Sequence, residues 1–260
     1  MTLSNLIKEV VGQIKQDAIK ITDNGTATIN DGIEEYARAI ALYLAFGVSK
    51  AANRANNMTT WMPSVQCPGH LFRRHAIPMS WDFAETNTLN GPSGSFWSMI
   101  NDTVTALDFV NGHSKVGGLA EQFDATQQKL SNGCIVSTDP PYYDNVPYAD
   151  ISDFFYVWLR HSLKEFYPLY FTTITVPKKE ELVAFASRQG SKTQADMFFL
   201  NGMTKAMQQL AEQAHPVFPV TIYYAFKQTE TNSNSGTSST GWETFLSATV
   251  KAGFAILGTW

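Results

Sequence analysis

The sequence predicts an α/β protein in which a helical segment precedes the sheet, and three observations carry that prediction. Up to about residue 105 the apolar side chains recur at helical spacing, interrupted by one long irregular stretch. Beyond residue 106, short β-branched and aromatic runs alternate with helical patterns, the arrangement that builds a parallel sheet. One of those runs leads straight into two consecutive prolines, so a strand there ends in a stiff loop.

Taken in order, residues 1–20 place Leu6, Ile7, Val10, Val11, Ile14 and Ala18 on one helical face, and Thr22-Asp-Asn-Gly25 breaks the pattern. A second helix is expected from Asp31, with Glu34 as its capping-box partner, to about Ala55. Ile33, Tyr36, Ala37, Ile40, Leu44 and Val48 share its apolar face, and its alanines suit close packing on another helix. Residues 56–92 have no period, hold three prolines before Trp81, and are too long for a mere connection. Within them Arg73-Arg74-His75 is a short basic cluster, an ordinary solvated surface unless a nucleic-acid cleft lies beside it. Phe96 to Leu107 reads as a third helix. Gly112 and Gly117-Gly118 follow no strand and so do not read as a nucleotide loop.

The stretch that carries chemistry is Cys134-Ile-Val-Ser-Thr-Asp139-Pro-Pro-Tyr142-Tyr143-Asp-Asn145. Cys134 to Val136 is expected to be a short buried strand, and the prolines hold the loop at its carboxyl end, where open α/β sheets place their ligands. Asp139 and the rigid Pro140 carbonyl are two hydrogen-bond acceptors, and Tyr142 offers a flat aromatic face. Two acceptors beside a ring suit a planar heterocycle with an exocyclic amine, whose lone pair they keep aimed at an electrophile. The next helix has Ile151, Phe154, Phe155, Trp158, Leu159, Ser162 and Leu163 on one face, Asp153, Arg160 and Lys164 outward, and would brace the loop against the sheet. Tyr167 to Pro177 is mixed strand-like and loop; Met197 to Ala214 is helix, closed by Pro216. Val217 to Phe226 reads as a second buried, parallel strand, and Thr229 to Gly241 as a polar, mobile loop. A last helix is capped by Thr240 and Glu243, shows Phe245, Leu246 and Val250 inward, and stops at Gly253; Phe254 to Leu257 begins a third strand.

Asp139-Pro140-Pro141-Tyr142 resembles the catalytic motif of S-adenosylmethionine-dependent amino-methyltransferases, which methylate adenine N6 or cytosine N4. The longer run 138–160 is similar to the large prokaryotic adenine-specific DNA methylases, and so is Met79-Ser-Trp-Asp-Phe-Ala-Glu85. The resemblance implies a partial Rossmann-like methyltransferase sheet over residues 106–260, preceded by a helical scaffold over 1–105. It implies Asp139, Pro140, Pro141 and Tyr142 as catalytic, Tyr142, Tyr143 and Asn145 as substrate contacts, and Asp124 as a strand-end carboxylate for the cofactor adenine. The implied cofactor is S-adenosylmethionine and the implied partner nucleic acid, DNA before RNA, with the target base flipped out of the stack. An RNA base, a glutamine amide, or a non-catalytic module that docks a partner are the alternatives. No Phe-x-Gly-x-Gly turn follows any strand, so an upstream segment carrying the glycine-rich cofactor motif is expected, with weak cofactor binding in its absence.

Composition narrows the field further. Hydrophobic residues make up 44% and charged residues 16%, below the roughly 25% of ordinary soluble domains, which implies surfaces meant to be covered. A net charge of −4 gives no overall electrostatic footprint for nucleic acid, so contacts must come from local patches. Cys67 and Cys134 are expected to be free thiols of a cytoplasmic protein, and Cys67-Pro-Gly-His70 lacks the second pair that would make a metal site. No apolar run is long enough to span a membrane.

Overall fold

The structure, a computed structural model, describes residues 2–21, 27–73, 76–82, 84–91, 94–110, 117–225 and 240–259, without the side chains of 20, 21, 27–31 and 240. The chain forms two units, one of residues 1–117 with 149–177, the other of residues 118–148 with 178–260. About half of it is helical and the sheets are small, a mixed α/β composition.

The first unit is built on α1 (Thr2–Ile21) and α2 (Ala27–Ala52). Ile7 and Val11 of α1 are buried together with Ala37, Ala41, Ala45 and Val48 of α2, and Leu163 and Phe171 complete this core. The alanines recur every fourth residue, so they line one stripe and let the helices approach closely. Tyr36, expected on that stripe, is one position off it and is 61% exposed. Because α2 begins at Ala27, Asp31 and Glu34 lie inside the helix and do not cap it. It ends three residues earlier than expected, because the Asn56 side chain donates to the Ala52 carbonyl and Asn53 Oδ1 takes the Leu71 N–H.

Among its described residues the irregular stretch contains the antiparallel pair of β1 (Trp61–Met62) with β2 (Cys67–Pro68). α3 (Phe96–Val110) starts behind Ser95, whose hydroxyl accepts the Ser98 N–H at 3.2 Å. α4 (Tyr148–Leu163) spans the junction of the units, and from Ala149 onward it belongs to the first. Its aromatic stripe packs there, with Phe154 and Phe155 each 5.5 Å from Phe72, and not against a sheet. Asp153 and Arg160, expected in solvent, hold the segment after the 3₁₀ turn Pro168–Phe171: Asp153 accepts the Val176 N–H and Arg160 donates to the Thr173 carbonyl. That segment forms no strand.

The second unit has β3 (Ser137–Thr138) parallel to β4 (Thr221–Ile222). Backbone bonds extend the pairing on both sides, from His215 N–H to the Cys134 carbonyl at 2.9 Å and from Tyr223 N–H to Thr138 at 2.9 Å. The parallel direction matches expectation and Val136 is buried, but the strand lies just past the expected Cys134 to Val136 and the rest of the run is not buried. Cys134 is exposed and Ile135 is 66% exposed, as is Val217 at 77%, because a two-stranded ribbon has no layers on both faces. Residues 254–259 form no strand, and Leu257 lies 85% exposed. A Rossmann-like sheet is not among the described elements. The core of this unit comes from helices: Ala195, Phe199, Met203 and Met207 of α6 (Lys192–Gln213), and Phe245 and Ala248 of α7 (Thr240–Lys251). α6 is capped by Ser191, which accepts the Gln194 N–H; the short α5 (Ala186–Gln189) precedes it. Val250, expected inward, is 57% exposed. α7 stops at Gly253 (φ +96°), where the Gly253 and Phe254 N–H groups return to the Val250 and Thr249 carbonyls.

Among the described residues no helix is long and apolar enough to cross a membrane, and no group of three or more His, Cys, Asp or Glu side chains is placed to hold a metal.

Candidate functional site

Asp139 leaves β3 directly, and the two prolines that follow carry the loop away from the ribbon. Asp139, Pro140, Pro141 and Tyr148 line a cavity of about 230 Å³. Pro140 is buried while Asp139 is exposed, so the wall is fixed and the carboxylate reachable. The Tyr142 hydroxyl donates to Asp139, and that bond, ahead of burial, raises the phenol above its ordinary range. A carboxylate has about four lone-pair positions, so Asp139 holds Tyr142 and still has acceptor capacity for a ligand. Tyr148 is raised too, by burial first, against a backbone hydrogen bond from Tyr142.

The anchor of the loop is Tyr143. Its φ of +27° is left-handed, a conformation that costs energy for a bulky residue. Four contacts hold it there. Its hydroxyl donates to Asp196, its carbonyl accepts the Ala184 N–H at 2.8 Å, and its ring meets Phe199 edge-on at 5.2 Å. Gly241 lies against its other side, so close that a Cβ there would sit 3.0 Å from the ring. Tyr143 is therefore core and only 7% exposed, not the substrate contact expected from the sequence. Asn145 donates its N–H to the Tyr142 carbonyl at 2.8 Å and closes the turn; its role here is in the backbone.

Behind the loop lies an aromatic stack that the sequence reading did not join to the site. Tyr142 meets Tyr224 at 5.5 Å with the rings nearly perpendicular, and Tyr224 stacks on Phe245 at 4.0 Å. The Tyr224 hydroxyl is buried without a hydrogen bond of normal geometry. Desolvation drives its ionisation far up, outweighing the polarising backbone N–H of Tyr143. These residues come from separate runs of the chain, and the only signal available was the aromatic content of 221–226 and 242–245.

Asp124 does not end a strand: residues 118–124 have no regular structure. One of its oxygens accepts from the Thr126 N–H and hydroxyl, and the other from Gln127, an Asx turn that lowers its pKa through the Thr126 N–H first. Three donors thus occupy its two oxygens, and the residue is exposed. The cavity is smaller than the roughly 300–1,000 Å³ of whole-ligand sites. The described residues thus place an exposed carboxylate beside a small, proline-walled cavity. Arg73 is described and exposed, whereas Arg74, His75, Phe83 and residues 229–239 of the serine-rich loop lie outside the described residues. Met79 and Trp81 are largely exposed.

No family model, curated protein or solved structure matches the chain.

Proposed function

We propose that the second unit orients the exocyclic amine of a nucleic-acid base, adenine N6 in DNA foremost, for methyl transfer from S-adenosylmethionine. The observation that carries this reading is the Asp139 carboxylate, exposed at a 230 Å³ cavity whose wall is rigid Pro140-Pro141. Asp139 and the Pro140 carbonyl accept the two amine hydrogens, which keeps the nitrogen lone pair out of the ring and aimed in one direction. The gain is alignment plus a hydrogen bond that strengthens as the amine becomes positive, and no covalent link to the protein forms. The methyl donor is proposed from the motif resemblance alone, and no residue of this chain is assigned to it.

The test is methylation of adenine-containing oligonucleotides by the protein and its Asp139→Ala variant at saturating S-adenosylmethionine, with N6-methyladenine read by mass. A loss of about 10²–10³-fold in kcat is expected, the magnitude of a lost transition-state hydrogen bond. Methyl incorporation at full rate in Asp139→Ala, or a product other than a methylated base, would remove the assignment.

A further inference from the structure

We infer that Arg54, His70 and Arg73, in the first unit, form a surface site for a phosphate-type oxyanion. This inference is independent of the methyl-transfer reading and rests on a local surplus of hydrogen-bond donors.

Arg54 follows the end of α2 and reaches back under the β2 turn. Its Nη1 makes only long contacts, 3.4 Å to the Pro68 carbonyl and 3.6 Å to the Cys67 sulfur, and its Nε is buried with no acceptor. Its Nη2 lies 3.0 Å from His70 Nε2. On the other side of that ring, Asn53 Nδ2 lies 3.0 Å from His70 Nδ1. With its Oδ1 3.1 Å from the Leu71 N–H, a proton that the Asn53 carbonyl also accepts at 2.8 Å, the Asn53 amide turns its Nδ2 to the ring. Both imidazole nitrogens therefore face donors, yet a neutral imidazole has one acceptor nitrogen. Whichever tautomer is chosen, one N–H points at another.

Arg73 adds to the surplus. Its guanidinium lies over Gly69, where a Cβ would come 2.2 Å from Nη2, so the glycine makes room for it. Among the described residues neither Arg54 nor Arg73 has an ion-pair partner. Lys50, whose charge also acts on His70, is paired with Asp102 of α3 at 2.6 Å. His70 is held below the ordinary imidazole range, by burial first and then by the charges of Arg54, Arg73 and Lys50. His70 and Arg73 are exposed, so a ligand can reach them. An oxyanion supplies what the cluster lacks, several lone pairs and negative charge. The guanidinium fork suits it, and the imidazole, once charged, donates from both nitrogens. The shared chemistry is a phosphate group, borne either by a polynucleotide backbone or by a small phosphate.

The experiment follows the His70 ring signals by NMR in the whole protein, titrated with inorganic phosphate and separately with a short DNA duplex. Bound phosphate should raise the His70 pKa, and Arg73→Gln should weaken binding about tenfold, the worth of one charge-assisted hydrogen bond. If the backbone is the source, the duplex binds more tightly than phosphate, and Arg73→Gln lowers the slope of log K against log salt by about 1. If a small phosphate is the source, inorganic phosphate alone moves the His70 signals. Absence of any His70 shift with either probe at millimolar concentration overturns the site, as does equal affinity in the wild type and Arg73→Gln.

Discussion

Tyr142 and Tyr224 share an edge-to-face contact but should answer mutation in opposite ways. Tyr142 gives its hydroxyl to Asp139, and in the proposed function its ring stacks on the base. Tyr142→Ala should lose the stacking, about 1–3 kcal/mol in apparent base affinity, whereas Tyr142→Phe keeps the ring and should retain most of it. Equal losses in the two variants, measured by KM for oligonucleotide, would show that the hydroxyl is what counts. Tyr224 carries a hydroxyl that burial leaves unsatisfied. Its folded-state ionisation lies above the ordinary value of 10.0. Below that value both folded and unfolded chains carry a neutral phenol, so stability is unaffected; above it the unfolded chain ionises first and the fold loses stability as pH rises. Tyr224→Phe should therefore leave Tm near pH 8 unchanged or slightly higher, and should flatten its fall above pH 10. A steeper alkaline fall in the variant would contradict this reading.

At the scale of elements, helices were far more legible than strands. α1, α3, α4 and α7 lie close to where apolar periodicity puts them, because each buries one stripe and periodicity reports that stripe directly. Cys134 to Val136 and Val217 to Phe226 are β-branched and aromatic enough to read as buried strands. Composition cannot say, however, how many partners a strand will find, and here each of the described strands finds one. The site was legible in part for the same reason. The Asp139 loop is local and its prolines dictate its stiffness, whereas Asp196, Ala184 and Gly241, which hold Tyr143, are brought in from distant sequence. Asp124 was misread because a turn aspartate and a strand-end aspartate look alike until the backbone ahead is known. Gly253 was legible, since a helix that stops needs a left-handed residue. Gly253→Ala should cost about 1 kcal/mol, seen as a lower Tm with little change in helix content.

At the scale of the whole molecule, the low charged fraction has a visible counterpart. Ile135, Val217 and Leu257 in the second unit, and Leu169 and Ile174 in the first, are large apolar residues at least 66% exposed. With a net charge of only −4 there is little repulsion to keep such surfaces apart. The purified chain should bind a hydrophobic dye such as ANS while folded and should sediment as concentration-dependent oligomers. A dye-silent monomer at high concentration would mean that these side chains are covered in solution.

The order in which the chain is made meets this architecture awkwardly. α1 and α2 emerge early from the ribosome, but Leu163 and Phe171, which close their shared core, are added much later, after the whole Asp139 loop. Until Phe171 is out, the nascent helical pair carries an open apolar face. The growing chain is thus exposed to chaperones, or to another nascent copy, while everything between Ala52 and Phe171 is made.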